Sequence, residues 1–284
     1  MKKERKLLAL LLLVFCMVFA LAACGNKDMS DADVMKQATE NMNALKSMTA
    51  ETSMEMVFSM GEDSMTMTSE MTQKVINDPI SMEIVMNMVM GFGGETQEME
   101  STVYAEADGD NLITYTQMEG DWYKMTQPGL EALEEYDTTK AMGTYLEAIQ
   151  NFKKTGTEDV AGVKADKYEG VITEDYFQTV LEESGLDEQF GFDGEDSATL
   201  KELFEGIGEM PITIWIDGEK LLPVKYYFDM TNMMSALMKN MGADEEGLAI
   251  DKVILSMVLT GFDNVDAIDI PQEAREAEEL ELEE

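Results

Sequence analysis

The sequence predicts an α+β domain of about ten antiparallel strands packed on a few helices. Three features of the chain point there. Apolar and polar residues alternate at period two through most of residues 54–126, and strand-like runs return over 211–230 and 250–262. Shorter stretches carry helical spacing instead. All five prolines, Pro79, Pro128, Pro211, Pro223 and Pro271, fall where those patterns break.

In chain order, Ser30 to Met48 reads as a helix, with Val34, Ala38, Met42 and Leu45 on one stripe. Ser30 is its candidate N-cap, and Asp31 and Asp33 suit the positive end of the helix dipole. Met54, Met56, Phe58 and Met60 then alternate with polar neighbours. After the turn Gly61-Glu62-Asp63 come Met65, Met67 and Met71. After Asn77-Asp78-Pro79 come Ile80, Met82, Ile84, Met86, Met88 and Met90. These are three long strands with one apolar face. Glu98–Ala107, Asn111–Met118 and Trp122–Thr126 add three more, the first two joined through Asp108-Gly109.

One or two helices are expected between Pro128 and Phe152. Strand character returns over Thr157–Ile172, followed by helices around Tyr176–Leu181 and Leu200–Ile207. An acidic, Gly-containing loop, Gly185–Glu195, lies between those two. Pro211–Ile216 and Leu222–Met230 form a hairpin about Asp217-Gly218. Thr231–Met241 is a helical insertion, and Ile250–Phe262 a nearly continuous apolar strand. Glu273–Glu284 is an acidic tail, expected to be solvated. No composition break divides residues 31–272, which read as one domain.

Composition excludes whole classes of function. The chain has 284 residues, 45 % of them hydrophobic, so it can bury a core and is not a disordered polymer. It has no histidine, which removes Ser-His-Asp and Cys-His catalysis and every histidine metal site. A formal charge of −38 argues against nucleic-acid binding, which needs clustered cations.

The first residues form an export signal. Lys2, Lys3, Arg5 and Lys6 precede an unbroken apolar run from Leu7 to Ala22. The run is short for a membrane span and right for a signal core. It ends Leu21-Ala22-Ala23-Cys24-Gly25, which resembles the bacterial lipobox. The expected cleavage lies between Ala23 and Cys24. Cys24 becomes the diacylated first residue, which gives stable anchoring where one acyl chain would not. Residues 24–30 then form a lipidated tether. Processing leaves 16 Lys+Arg against 57 Asp+Glu, a net −41 over 261 residues. Cys16 leaves with the signal, so the domain itself carries no thiol, disulfide or cysteine metal site. The expected location is the cell membrane, facing outside the cytoplasm.

Several short motifs occur in order. Thr157–Tyr168 carries E-x-V-x-G-x-K-x-x-x-Y at Glu158, Val160, Gly162, Lys164 and Tyr168. Trp122-Tyr123-Lys124, then Ile214-Trp215-Ile216-Asp217 with Leu222-Pro223-Val224-Lys225, and Asp263-Asn264-Val265 leading to Ile268-Asp269-Ile270-Pro271 complete the set. Together they resemble the LolA/LppX-like superfamily of bacterial lipoproteins across most of residues 49–272, and an uncharacterised Gram-positive lipoprotein family near it. The resemblance implies an incomplete antiparallel barrel, a half-barrel, wrapped around helices. In characterised relatives the concave face carries lipid or acyl chains, and the resemblance supplies no catalytic residues. The methionine content and the acidity depart from those carriers, so ligand identity does not transfer.

Methionine is the main candidate for function. Ten of the 27 fall between Met54 and Met90. Methionine is flexible and polarizable and suits surfaces that accept varied apolar ligands. Met54, Met56, Phe58, Met65, Met67, Met82, Met86 and Met88 are the groove candidates, with plain core filling as the alternative. Thioethers also bind Cu(I), but no histidine or cysteine completes such a site. Asp187, Glu188, Asp193, Glu195 and Asp196 could hold Ca²⁺, though their spacing is not that of an EF-hand loop. With 57 acids, some pair always suits glycoside hydrolysis, so carboxylates discriminate nothing. Trp122, Tyr123, Trp215, Tyr226 and Tyr227 sit on strands, where sheet packing competes with ligand stacking. Gly91-Phe92-Gly93-Gly94 lacks the following Lys-Ser/Thr of a phosphate loop and reads as a loop or bulge.

The expected role is non-enzymatic, without cofactor or metal: a membrane-anchored protein that binds an apolar or amphipathic, lipid-like ligand. The alternative is a structural or assembly accessory of the envelope acting through protein partners.

Overall fold

The computed structural model describes residues 29–61, 63–118, 120–128, 146, 148–176, 204–242 and 247–280. The signal, Cys24, the loop Gly185–Glu195 and most of the helices expected over 128–152 and 176–207 lie outside them.

Helix α1 spans Asp31–Asn43. The Ser30 hydroxyl accepts from the Asp33 amide at 3.2 Å, and the Asp33 carboxylate accepts from the Ser30 amide at 3.3 Å, a reciprocal cap that fixes the helix start. These hydrogen bonds hold the Asp33 carboxyl below its ordinary value. Helical spacing continues to Leu45, but the helix stops at Asn43 and the chain is already a strand by Ser47. Asn41 ends it against the rest of the fold, its amide donating to the carbonyls of Lys220 and Leu221.

Six strands follow as a meander: β1 Ser47–Met60, β2 Asp63–Asn77, β3 Ile80–Phe92, β4 Glu95–Asp108, β5 Asn111–Met118 and β6 Asp121–Pro128. β7 Gln150–Val160 and β8 Val163–Ile172 form a hairpin, then come β9 Met210–Asp217 and β10 Pro223–Asp229. Helix α2, Thr231–Asn240, leads to β11 Leu248–Thr260. A short helix α3, Gln272–Arg275, and β12, Glu278–Glu279, end the described chain.

All twelve strands join one open sheet in the order β12-β6-β5-β4-β3-β2-β1-β11-β10-β9-β8-β7. Every pairing is antiparallel except β12 with β6. The count is twelve where the sequence pattern suggests about ten, for two physical reasons. The stretch 157–172 is two strands folded at Ala161-Gly162, whose positive φ values of 48° and 80° make the tight hairpin turn. The acidic tail supplies the other: Ala274 is buried and β12 pairs with β6, while Glu273, Glu276, Glu278 and Glu279 stay exposed. Gly93-Gly94 is likewise a hairpin turn, with φ of 58° and 87° between Phe92 and Glu95.

The inner face of the sheet packs on α1. Val34, Met35, Ala38 and Met42 meet Met48, Ala50, Ile212, Ile214, Ile216, Tyr226, Met257 and Leu259 in the principal core. Burying each such large side chain is worth about 1.5–3 kcal/mol. The outer face carries two smaller clusters. Trp215, Val160, Ala165 and Val224 form one. In the other, Ile268, Ile270 and Ala274 cover Tyr104, Ile113, Tyr115 and Trp122. Residues 263–280 therefore form a strap across the outside of β4–β6. Its root is fixed where Asp263 accepts from the Lys46 amide at 2.7 Å and Val265 donates to the Ser47 hydroxyl. Its far end is fixed where Arg275 forks onto Glu106, which also takes the Tyr115 hydroxyl.

The sequence motifs now have positions. Glu158 accepts from the Trp215 indole at 2.9 Å, and Lys225 lies 4.6 Å over the Trp215 ring. Tyr168 and Leu222 are core residues, and Ile268 and Ile270 belong to the strap. The motifs are cross-strand ties, and what they specify is the sheet.

Candidate functional site

Strand register decides which residues share a face. Met48, Val75, Met82 and Ala105 form one row across β1, β2, β3 and β4 on the inner side. Two residues further along come Ala50, Gln73 and Ile84, and then Thr52, Met71 and Met86. Beyond them lie the rows Met54, Ser69, Met88; Met56, Met67, Met90; and Phe58, Met65, Phe92. All eight groove candidates, Met54, Met56, Phe58, Met65, Met67, Met82, Met86 and Met88, thus stand on the inner face of three adjacent strands.

They are not equally buried. Met82 lies in the first row, 4 % exposed, in a small core with Val75, Ala105 and Leu112. Met54, Met56, Phe58, Met67, Met86 and Met88 are half-buried. At the last row Met65 is 38 % and Phe92 52 % exposed. One face therefore grades from sealed core to accessible apolar surface. β11 extends the inner face without the grading: Met257, Leu255 and Val253 pair with Thr52, Met54 and Met56, and Val253 is buried. A register shift between Val57 and Phe58 then brings Ile250 opposite Phe58. Sequence reasoning found this fourth strand but not its place on this face, because the apolar run Ile250–Phe262 shows no alternation to mark one.

The predicted aromatics do not form one platform. Tyr226 and Phe228 lie in the inner core, ring centroids 6.2 Å apart and stacked, while Trp122 and Trp215 belong to the outer clusters. Burial raises the phenols of Tyr226 and Tyr168, the latter to about 12 with help from Asp166 and Asp31. Tyr115, buried and hydrogen-bonded to Glu106, is also pushed up to about 12.

The outer face of the long strands is different in kind. Glu51, Ser53, Glu70, Thr72, Val85 and Asn87 line a depression of about 440 Å³. A second, of about 630 Å³, adjoins it through Val85 and Asn87 and reaches Glu100 and Gln117. Both are shallow and mixed in polarity. The carboxylates there that have cations use them across strands, as in Lys74 to Glu83 at 2.5 Å and Lys252 to Glu55 at 2.7 Å. Among the described residues no three acidic side chains come close enough to hold a metal ion. The calcium candidates Asp187 to Asp196, the lipidation residue Cys24 and the cleavage residue Ala23 lie outside the described residues.

The fold and this site are those of an open antiparallel sheet with an apolar inner face. The chain belongs to a family of unknown function, DUF6612, whose model matches residues 30–279. Among curated proteins none matches the sequence. Among solved structures it is similar to LprF from Mycobacterium bovis, at 15 % identity and a TM-score of 0.47, over 85 % of this chain and 96 % of that one. It is also similar to the Mycobacterium tuberculosis lipoprotein LppX, at 14 % identity and a TM-score of 0.42, over 84 % of this chain and all of that one. A domain from Vibrio parahaemolyticus described as an outer membrane lipoprotein-sorting protein aligns at 9 % identity and a TM-score of 0.22, over 80 % of this chain and 90 % of that one.

Proposed function

We propose that the protein is a membrane-anchored, extracytoplasmic lipoprotein whose inner sheet face binds an apolar or amphipathic, lipid-like ligand without catalysis. One observation carries the reading: seven of the eight candidate side chains on a single face are only partly buried. A methionine-lined surface adapts to flexible apolar chains, since thioethers repack at little cost. The lipobox-like Leu21–Cys24 supports placement at a membrane, where such a ligand is at hand. The absence of histidine and of thiols from the processed domain supports a binding role over a catalytic one.

Native mass spectrometry of the purified domain from residue 25 onward tests the ligand. Co-purified or exchangeable lipid is expected; a domain that holds none and binds no acyl probe sinks the reading. Cys24→Ala tests the anchor and is expected to leave unlipidated, uncleaved precursor. Normal maturation of that variant would overturn it. A second reading, an assembly accessory working through protein contacts, is favoured by the two shallow depressions of mixed polarity on the outer face. A solid interior without ligand would move the assignment there.

A further inference from the structure

Two buried hydroxyls on the inner face have no hydrogen-bond partner: Thr52 Oγ1 and Tyr226 Oη. They are neighbours by register. Thr52 of β1 pairs with Met257 of β11, and Met257 pairs with Tyr226 of β10. The two residues therefore lie in one row, two strand spacings or about 9.5 Å apart along the sheet. Thr52 is 9 % exposed and Tyr226 fully buried. A buried, unpaired hydroxyl forfeits its bonds to water, and natural proteins rarely leave one orphaned without a reason.

The position of the row supplies one. It lies between the sealed core around Ala50 and Leu259 and the partly buried rows of Met54, Met56 and Phe58. The other buried polar residues of this face, Gln73 and Ser69, flank the same row on β2. Gln73 donates from its amide to the thioether of Met82 at 3.2 Å. On β1–β3 the inner face thus passes from sealed core through this row, its waist, to accessible apolar surface, while on β10 and β11 it stays buried through Phe228 and Val253. An unbranched hydrocarbon has no use for the waist. A ligand with a polar linkage at the head of its apolar chains does.

We infer that the waist is the seat of an acyl-ester linkage, with Thr52 and Tyr226 donating to ester carbonyl oxygens and the acyl chains running over Met54, Met56, Met67 and Met88. This deepens the proposed function and rests on it: the ligand class narrows from apolar in general to acylglycerol-like. Burial keeps the Tyr226 phenol neutral, so it remains a donor across the physiological range.

The test uses Tyr226→Phe and Thr52→Val, each removing a hydroxyl at nearly constant shape, with Thr52→Ser restoring one. Affinity is measured for dioleoylglycerol and for hexadecane by displacement of a fluorescent acyl probe. Each removal is expected to weaken dioleoylglycerol by roughly five- to tenfold and leave hexadecane unchanged, with Thr52→Ser returning the ester preference. The thermal midpoint of the ligand-free domain is expected to rise in Tyr226→Phe, because an unsatisfied group is lost. A fall in that midpoint shows the hydroxyl already satisfied by buried water and overturns the inference. Unchanged ester affinity, or equal loss for both ligands, overturns it as well while leaving the methionine face standing. Wild-type protein that binds neither probe defeats the proposed function itself.

Discussion

The two ends of strands β1–β3 are built from the same alternation and rest on different things. At the α1 end, Met48 and Met82 are sealed. Eight residues further along the same face, Met56 and Met90 are half-buried, and Phe92 at the tip is more than half exposed. The residue types barely change along the face. What changes is the neighbour: α1 and the isoleucines of β9 share a core with Met48, while Val75, Ala105 and Leu112 enclose Met82, and partial exposure marks the second region. A binary pattern thus announces a face without saying whether that face is core or surface, and the face seen here is sealed at one end and accessible at the other.

Substitution at the sealed end should have the largest effect. Met48→Ala removes a side chain with no exposed surface and leaves a cavity, so it is expected to cost about 2–5 kcal/mol in denaturant unfolding. A cost below about 1 kcal/mol would break the distinction between the two ends. Alkaline titration probes the buried phenols of both faces. Tyr168 and Tyr226 of the inner core, and Tyr115 beneath the strap, have pKa values raised from the ordinary 10, to about 12 for Tyr168 and Tyr115. The folded state favours the neutral form, so this contribution is whole below pH 10 and is lost as pH rises from 10 through about 12. The unfolding midpoint should fall across that window, with phenolate absorbance appearing later in folded than in unfolded protein. A midpoint flat across the window would remove these phenols from the account.

Arg275→Ala comes next. Its fork to Glu106 is partly solvent-screened, so a loss of about 0.5–1 kcal/mol is expected, with faster amide exchange in β5 and β6 beneath the strap. Met56→Ala should be the mildest, about 1 kcal/mol or less, and should weaken acyl-probe binding more visibly than it weakens the fold. Comparable stability losses at Met48 and Met56 would make the whole face core.

Much of the fold was legible because alternation over β1–β6 is long and its turns carry glycine or proline signals. The Ser30 cap was legible for the same local reason, since its partner is three residues away. Three features were not. The helix stripe through Leu45 overran the true end at Asn43, because Leu45 is buried by the core whether or not it is helical. β12 is two acidic residues, held by pairing with β6 that no local propensity marks. The waist at Thr52 and Tyr226 joins positions 174 residues apart, and only the pairing of β1 with β11 and of β11 with β10 brings them into one row. The eight groove candidates could be named from alternation alone, but their grading from Met82 to Met65 depends on what packs over each row.

An open sheet has two bare margins, and both are guarded by segments distant in sequence. At β7 the Asp31 carboxylate takes the Lys154 amide, and register shifts on either side of Lys153 and Lys154 interrupt the ladder. At β6 the strap lays β12 alongside, with Leu280 donating to the Lys124 carbonyl. Unguarded strand margins are templates for other chains. Proteolytic trimming anywhere in the strap should therefore announce itself less as weakened folding than as self-association that grows with protein concentration.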